Sequence, residues 1–294
     1  MTSSRRYLWL LQGLLCCMPV FAGCELLQHF SQPQAKRVDK EPMAGAPSKN
    51  QIRVSQFIFI SDLKIHKDQA IFKDLSNLRE QVYRELRLPP STTDVFVYLF
   101  EDKTSYDKFI KARHPELPDD RRAFFVAQPR RLGGVEDLMV YTYMGESIHQ
   151  DLRHELTHAM LHSVLKNVPI WLDEGLAEYF ELPTGQAGVN PKHLDVLRKA
   201  GMRFDLDRLE KLAEVHEMSP AEYRESWAWV HLMLRSTPQA KQALLSFLQE
   251  LRTNPNPGPL RPRLAPAFPS LDGAMQTHLA DLDRKLPHGA TAKQ

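Results

Sequence analysis

The stretch "RHELTHAMLHSVLKNVPIWLDEGLAEYFE" (residues 153–181) contains three histidines and four glutamates among apolar residues with helical spacing. Buried helices ordinarily exclude so many ionisable groups, because a charge that is removed from water needs a partner. Histidine and carboxylate side chains that cluster on buried helices are typical of metal sites. We therefore expect two helices here, over residues 148–165 and 169–180, that share one functional site.

The motif "HELTH" places His154 and His158 four residues apart, so that both imidazoles lie on one face of a helix and can bind one zinc ion. Glu155 lies about 60° from His158 around the helix, beside the ion rather than on it. A carboxylate in that position suits the catalytic base of a metal-assisted hydrolysis. A chance HExxH is expected in about 0.03 chains of this composition. An exposed helix face with two solvated histidines is the alternative, and it does not explain the apolar neighbours.

A catalytic zinc ion needs a third protein ligand and an open fourth position. His162 stands about 12 Å along the helix axis from His154, too far for both to bind one ion, so we expect it to pack or to contact a ligand. The second helix offers Glu174, Glu178 and Glu181 on one side, at spacings of four and three residues. The third ligand is therefore expected from this helix.

The segment "WLDEGLAE" (residues 171–178) resembles the second helix of the gluzincin metallopeptidases, whose first glutamate binds zinc. The closer likeness is to short bacterial envelope proteins with a peptidase-MA-like domain, and it covers about residues 151–180. The resemblance implies a zincin-like fold, one zinc ion per chain with Glu174 as its third ligand, and hydrolysis of amide bonds in a peptide or protein substrate. For Glu178 we expect a carboxylate that accepts the outer N–H of a ligating histidine. An ordinary surface glutamate, or an exchange of roles with Glu174, are the alternatives.

Gluzincins usually add a tyrosine or histidine from the helical lobe that stabilises the developing oxyanion. By this resemblance Tyr223 and His231 are the candidate catalytic residues, and a plain packing role is the alternative for each. The strand "LMVYTY" (residues 138–143) matches by position the edge strand along which gluzincins bind an extended peptide. A strand that is paired on both sides is the alternative.

The N-terminus "MTSSRRYLWLLQGLLCCMPVFAGC" (residues 1–24) has two arginines before an apolar run of 16 residues. This run is shorter than the roughly 20 residues that span a bilayer, so we expect a secretory signal. "VFAGC" resembles the lipobox of bacterial lipoproteins, which implies a signal peptide over residues 1–23 and a lipid on Cys24. Glu25 then favours, by the sorting rule for such lipoproteins, an outer-membrane protein that faces the periplasm. Ordinary cleavage, giving a secreted or periplasmic soluble protein, is the alternative.

After the leader, residues 24–51 are polar and predict a flexible tether, and residues 287–294 a disordered tail. Residues 52–286 predict one α+β domain, with a small mixed sheet and helices over residues 52–146 and a helical part over residues 147–286. The predicted strands cover residues 52–60, 93–100, 122–128 and 137–144. The predicted helices outside the opening stretch include residues 66–88, 105–113, 191–199, 206–215, 240–252 and 271–285, and one that begins at Ser219 and Pro220.

Charge excludes one class of function. Removal of the leader leaves 38 − 2 = 36 Lys plus Arg against 36 Asp plus Glu, so the formal net charge is zero and no nucleic-acid partner is expected. A non-catalytic envelope scaffold with a zincin-like domain is the main alternative to a peptidase. The peptidase is favoured because a scaffold needs no unligated Glu155 beside the metal. A zinc amidase that acts on peptidoglycan is a third candidate, and the sequence shows no wall-binding module for it.

Overall fold

A five-stranded mixed sheet forms the first half of the described chain. The computed structural model describes residues 43–115, 117, 121–128, 137–200 and 203–285. The strands are β1 (Asn50–Val54), β2 (Phe57–Ser61), β3 (Val95–Phe100), β4 (Ala123–Gln128) and β5 (Asp137–Tyr143). They lie in the order β1-β2-β3-β5-β4, with β2, β3 and β5 parallel to one another and β1 and β4 as antiparallel edge strands.

Helices form most of the second half, which confirms the predicted α+β class with a helical part after the sheet. They are α1 (Ala70–Glu85), α2 (Lys103–Arg113), α3 (Ile148–His162), α4 (Ile170–Phe180), α5 (Pro191–Ala200), α6 (Leu206–Leu209), α7 (Pro220–Arg235), α8 (Pro238–Leu251), α9 (Arg261–Leu264) and α10 (Leu271–Lys285). As expected, Ser219 caps the N-terminus of α7, where it forms a capping box with Glu222. None of these helices has the length and apolar character that crossing a lipid bilayer requires.

The first predicted strand is corrected by the structure, because residues 52–60 belong to a hairpin rather than to one strand. Ser55 adopts a left-handed conformation (φ 55°) between β1 and β2. The turn has no glycine or asparagine, the residues that usually mark a two-residue hairpin. Tertiary contacts hold it instead, since the buried Gln56 side chain accepts hydrogen bonds from Arg79 and Tyr83.

The folded part also begins before the predicted end of the tether at residue 51. Strand β1 starts at Asn50, and the Asp62 carboxylate accepts hydrogen bonds from the backbone N–H groups of Ser48 and Lys49. The predicted signal peptide, Cys24, residues 24–42 of the tether and the predicted tail (287–294) lie outside the described residues.

The helical part differs from the prediction around two short helices. The helix predicted over residues 206–215 ends at Leu209, and the short helix α9 lies in a segment for which no helix was predicted. Glu210, which follows α6, links it to α9. Its carboxylate accepts hydrogen bonds from the backbone N–H groups of Leu260 and Arg261 at the start of α9. Such a long-range contact leaves no periodic signal in the sequence.

The sheet is buried on both faces because strand side chains alternate. Val97 of β3 and Val140 of β5 join the main core with α1 and α3, whereas Tyr98 and Tyr141 join an aromatic cluster with α2. Helix α4 lies between α3 and α7. A side chain at Gly175 of α4 would place its Cβ 2.6 Å from a backbone oxygen of α7, so glycine permits the close approach of these helices.

Candidate metal centre

Helices α3 and α4 bring His154, His158 and Glu174 together. The Oε2 atom of Glu174 lies 3.4 Å from Nε2 of His154 and 3.6 Å from Nε2 of His158. Hydrogen bonds between such groups are shorter, about 2.7–3.2 Å. A tetrahedral zinc ion with ligands at about 2.1 Å separates neighbouring ligand atoms by about 3.4 Å. The three side chains therefore have a spacing and donor types that can hold a metal ion.

The antiparallel arrangement of α3 and α4 decides which side chains meet. Successive histidines of α3 contact successively earlier acids of α4 and its C-cap residue. These pairs are His154 with Glu181 and Glu174, His158 with Glu174 and Asp173, and His162 with Asp173. Leu156 and Met160 of α3 and Trp171 and Leu172 of α4 are buried in the core. Since both helices are fixed by their apolar sides, their ionisable sides face each other.

The outer nitrogen of each candidate histidine ligand lies against a buried carboxylate. Oε2 of Glu181 lies 3.0 Å from Nδ1 of His154. Oδ2 of Asp173 lies 3.0 Å from Nδ1 of His158, without hydrogen-bond alignment, and 2.9 Å from Nε2 of His162. The contact with Glu181 orients the His154 ring, and the charge of Asp173 lies beside Nδ1 of His158. In both rings Nε2 is the atom nearest to Glu174.

The role expected of Glu178 therefore belongs to other residues. Its Oε2 atom lies 2.7 Å from Nε2 of His193, which is not one of the candidate ligands. The physical reason is rotation around α4: Glu181 lies about 20° from the direction of Glu174, whereas Glu178 lies about 40° away on the opposite side, toward α5. The sequence pattern included Glu181 beside Glu174 and Glu178, and it gave no signal that separates Asp173 from an ordinary acid at the start of a helix.

The carboxylates dominate the electrostatics of the centre. Burial alone would lower the pKa of His158, but Asp173 and Glu174 outweigh it and raise that pKa to about 10. Burial alone would raise the pKa of Glu174, and the two histidines instead lower it to about 2. A site that favours protonated imidazoles in this way has a negative potential, which a divalent cation satisfies.

Glu155 stands apart from these pairs. The residue is 9% exposed, lines the cleft beside the centre and forms no hydrogen bond between its carboxylate and another described residue. Burial, the largest influence, raises its pKa. A carboxylate that is near the candidate ligands, unbonded and of raised pKa can both accept and release a proton.

The two oxyanion candidates on α7 have different surroundings. Tyr223 lines the same cleft as the three candidate ligands, and burial, followed by the charge of Glu174, raises its pKa to about 12. His231 lines a second cavity, where its Nδ1 atom lies 2.8 Å from Nε2 of His278. The two α7 residues are about 12 Å apart along the axis, so one helix cannot bring both to the centre. The assignment of His231 is corrected accordingly.

His193 is a residue of the cleft that the sequence did not reveal. The Asn190 side chain caps α5, because its Oδ1 atom accepts hydrogen bonds from the backbone N–H groups of Lys192 and His193 at 3.1 Å each. This cap places His193 beside Glu178. The Trp227 ring packs edge-on against it at 5.5 Å. An asparagine–proline helix start was visible in "NPKH", but nothing local linked it to the metal helices.

The centre lies in a cleft of about 760 Å³, one wall of which is strand β4. Ala123, Phe125 and Ala127 of β4 line this wall. β4 is the edge of the sheet, whereas β5 pairs with both β3 and β4. The "LMVYTY" strand is therefore not the edge strand, and its neighbour takes that position.

Comparison with models of protein families and with curated protein sequences finds no match for this chain. The fold and the site define an α+β protein in which His154, His158 and Glu174 lie within metal-binding distance of one another. Its function is therefore inferred from the geometry of this centre.

Proposed function

We propose that this protein hydrolyses peptide bonds in a zinc-dependent reaction. The observation that supports the proposal most is the spacing of 3.4 and 3.6 Å between Glu174 Oε2 and the Nε2 atoms of His154 and His158. Three protein ligands leave a fourth position open, which distinguishes catalytic from structural zinc. When bound there, zinc supplies a water of lowered pKa and polarises the substrate carbonyl.

Glu155 acts as the proton carrier of the reaction. Its carboxylate accepts a proton from the attacking water and delivers it to the nitrogen of the leaving amine. The raised pKa that burial gives Glu155 suits both transfers, since a stronger base accepts the proton and remains acidic enough to release it. The neighbouring acids are already paired with histidines, which leaves Glu155 free for this role.

Tyr223 is the candidate donor to the negative charge that develops on the substrate carbonyl oxygen. With its pKa raised to about 12, the phenol keeps its proton and can donate a hydrogen bond. His193 is a second candidate on the same wall, because Glu178 holds its Nε2 atom at 2.7 Å and fixes the ring. Both residues belong to the helical part and face the β4 wall across the cleft.

The substrate is a peptide or protein bound in an extended conformation along β4. An edge strand presents unpaired backbone N–H and C=O groups that a peptide can pair with. Backbone pairing accepts many side-chain sequences, and the cleft residues select among them. We further propose that a lipid on Cys24 tethers the protein to the outer membrane, facing the periplasm, with secretion or a soluble periplasmic form as the alternative.

The test joins metal analysis to digestion of a diverse peptide library, with protein that lacks residues 1–23. We expect about one zinc per chain and cleavage of internal or terminal peptide bonds. Removal of zinc by a chelator abolishes cleavage, and added zinc restores it. As a control, a glutamate outside the cleft is replaced. Glu80→Gln, at an exposed position of α1, should change neither the zinc content nor the cleavage.

Two outcomes contradict the proposal in different ways. A chain that is folded and binds no zinc removes the metal centre. A chain that binds zinc and cleaves neither peptides nor denatured proteins supports the alternative of a non-catalytic envelope scaffold. Cleavage of cell-wall peptides with no cleavage of linear peptides supports the peptidoglycan amidase.

A further inference from the structure

Arg153 is the most deeply buried arginine of the described chain, with 1% of its surface exposed. It precedes His154 on α3. Its guanidinium donates hydrogen bonds to three consecutive backbone carbonyls at the end of α4, at 3.1 Å to Phe180, 3.2 Å to Glu181 and 2.6 Å to Leu182. The same group contacts both carboxylate oxygens of Asp74 on α1, at 3.0 and 3.1 Å.

These contacts fix the end of α4 for clear physical reasons. The last carbonyls of a helix have no partner within the helix and carry partial negative charge. The planar guanidinium of Arg153 supplies several N–H donors in fixed directions, which a lysine at the same position cannot reproduce. The segment 180–182 is therefore held against α3 by one side chain, and Asp74 compensates the buried charge.

Glu181 connects this segment to the metal centre. Its backbone carbonyl is bound by Arg153, and its side chain holds Nδ1 of His154 through Oε2 at 3.0 Å. The other oxygen, Oε1, accepts a hydrogen bond of 2.6 Å from Gln150. Two consecutive residues of α3 thus contact Glu181, the C-cap residue of α4: Arg153 binds its backbone carbonyl, and His154 contacts its side chain.

We propose that Arg153 is a positioning residue of the metal centre. By fixing the backbone at Glu181, it places the carboxylate that orients the His154 ring and so sets the affinity of the centre for zinc. The inference rests on the proposed zinc site. A purely structural role is the alternative. In that role Arg153 joins α1, α3 and α4 and affects only the stability of the fold.

A double-mutant cycle separates the two roles, with zinc affinity as its measurement. Zinc affinity is obtained by competition with a chromophoric chelator, with no need for catalytic activity. We expect Arg153→Lys and Glu181→Gln each to lower the affinity about 10-fold, the usual effect of losing a residue that orients a ligand. If Arg153 acts through Glu181, the zinc affinity of the double variant should be about 10-fold below that of the wild type, as in each single variant. If the two residues act independently, it should be about 100-fold below.

The matched control is Arg235→Lys, another arginine between helices, whose guanidinium binds Glu85 at 2.7 Å and the Tyr179 hydroxyl at 2.6 Å. We expect this variant to lower the melting temperature without a change in zinc affinity. The visible absorption of Co²⁺ bound in place of zinc provides a second measurement, since it reports ligand geometry. Arg153→Lys should alter it, and Arg235→Lys should not.

The inference is overturned if folded Arg153→Lys binds zinc as tightly as the wild type, or if the effects of the two substitutions multiply. Should Arg153→Lys not fold, Arg153→Gln takes its place in the same cycle, because an amide donates hydrogen bonds without a charge to bury. Absence of zinc binding by the wild-type chain would instead overturn the proposed function. The two failures are therefore distinguishable.

Discussion

Two pairs of neighbouring, largely buried histidines in this molecule have opposite acid–base character. His154 and His158 lie at the candidate metal centre, and their pKa values are raised, that of His158 to about 10. His231 and His278 line the second cavity, between α7 and α10, and their pKa values are lowered, to about 3 and about 4. Burial opposes the charged imidazole in both places, so burial does not distinguish them.

The difference lies in what the ring nitrogens contact. At the metal centre the ring nitrogens of both histidines lie against carboxylates, and the two Nε2 atoms converge on one oxygen of Glu174. In the second pair, Nδ1 of His231 faces Nε2 of His278 at 2.8 Å, and the nearby charge of Arg235 disfavours protonation further. A buried histidine pair therefore becomes a candidate metal site through the acids that surround it.

The largest effect is expected from Glu155→Gln, which tests whether the metal centre is catalytic. The amide cannot carry a proton, so we expect kcat to fall about 10³-fold while zinc content stays the same. Steady-state cleavage of a library-derived peptide and metal analysis of the same sample provide the measurement. Equal activity in the variant would remove Glu155 from the mechanism, and loss of zinc would assign it to the ligands.

Tyr223→Phe should have the next largest effect. Together with a variant of His231, it compares the position of α7 that lines the cleft with the position that lines the second cavity. Loss of the phenol hydrogen bond to the developing charge should lower kcat about 10²-fold with little change in KM. His231→Gln, in the second cavity, should leave kcat unchanged. A greater loss in the histidine variant than in the tyrosine variant, with both folded, would restore His231 as the catalytic residue.

A smaller effect is expected for the acids behind the histidines. Asp173→Asn should lower zinc affinity about 10-fold, because it removes the charge behind His158. Glu178→Gln should leave zinc affinity unchanged, since its partner is His193. Chelator competition measures both. If Glu178→Ala loses more zinc than Glu174→Ala, the ligand assignment of these two glutamates is reversed.

The two histidine pairs also show how much the sequence could predict. His154, His158 and Glu155 follow from one helical motif, because residues four apart share a face whatever the rest of the fold does. Glu174 required the likeness to a known second helix. The choice between Glu178 and Glu181 depended on the angle at which α4 meets α3, and a helix spacing does not contain that angle.

Long-range contacts explain the remaining differences. His193 enters the cleft because Asn190 begins α5 beside Glu178, a placement set by the chain between α4 and α5. The hairpin at Ser55 lacks the usual turn residues and is held by contacts from α1 to Gln56. The strands were predicted from their local sequence. The order in which they pair, which makes β4 an edge strand, had to come from the fold.

The smallest expected effect concerns stability and pH at the second pair. The groups that face it include Arg235 on α7 and Asp281 and Lys285 on α10. Because the pKa values of His231 and His278 are lower in the folded protein than the usual value near 6.5, the unfolded chain binds protons first as the pH falls. Their contribution is therefore complete above about pH 6.5 and is lost progressively toward about pH 4.

We expect His278→Gln to reduce this loss by on the order of 1 kcal/mol between pH 7 and pH 5, because one of the two titrating groups is removed. Urea unfolding of the metal-free protein at both pH values provides the measurement, with the exposed His149→Gln as the matched control. An identical pH dependence in wild type and His278→Gln would show that His278 binds protons alike in the folded and the unfolded protein. The contrast with the metal centre would then disappear, and the acids around His154 and His158 would no longer explain why zinc is expected at one pair and not at the other.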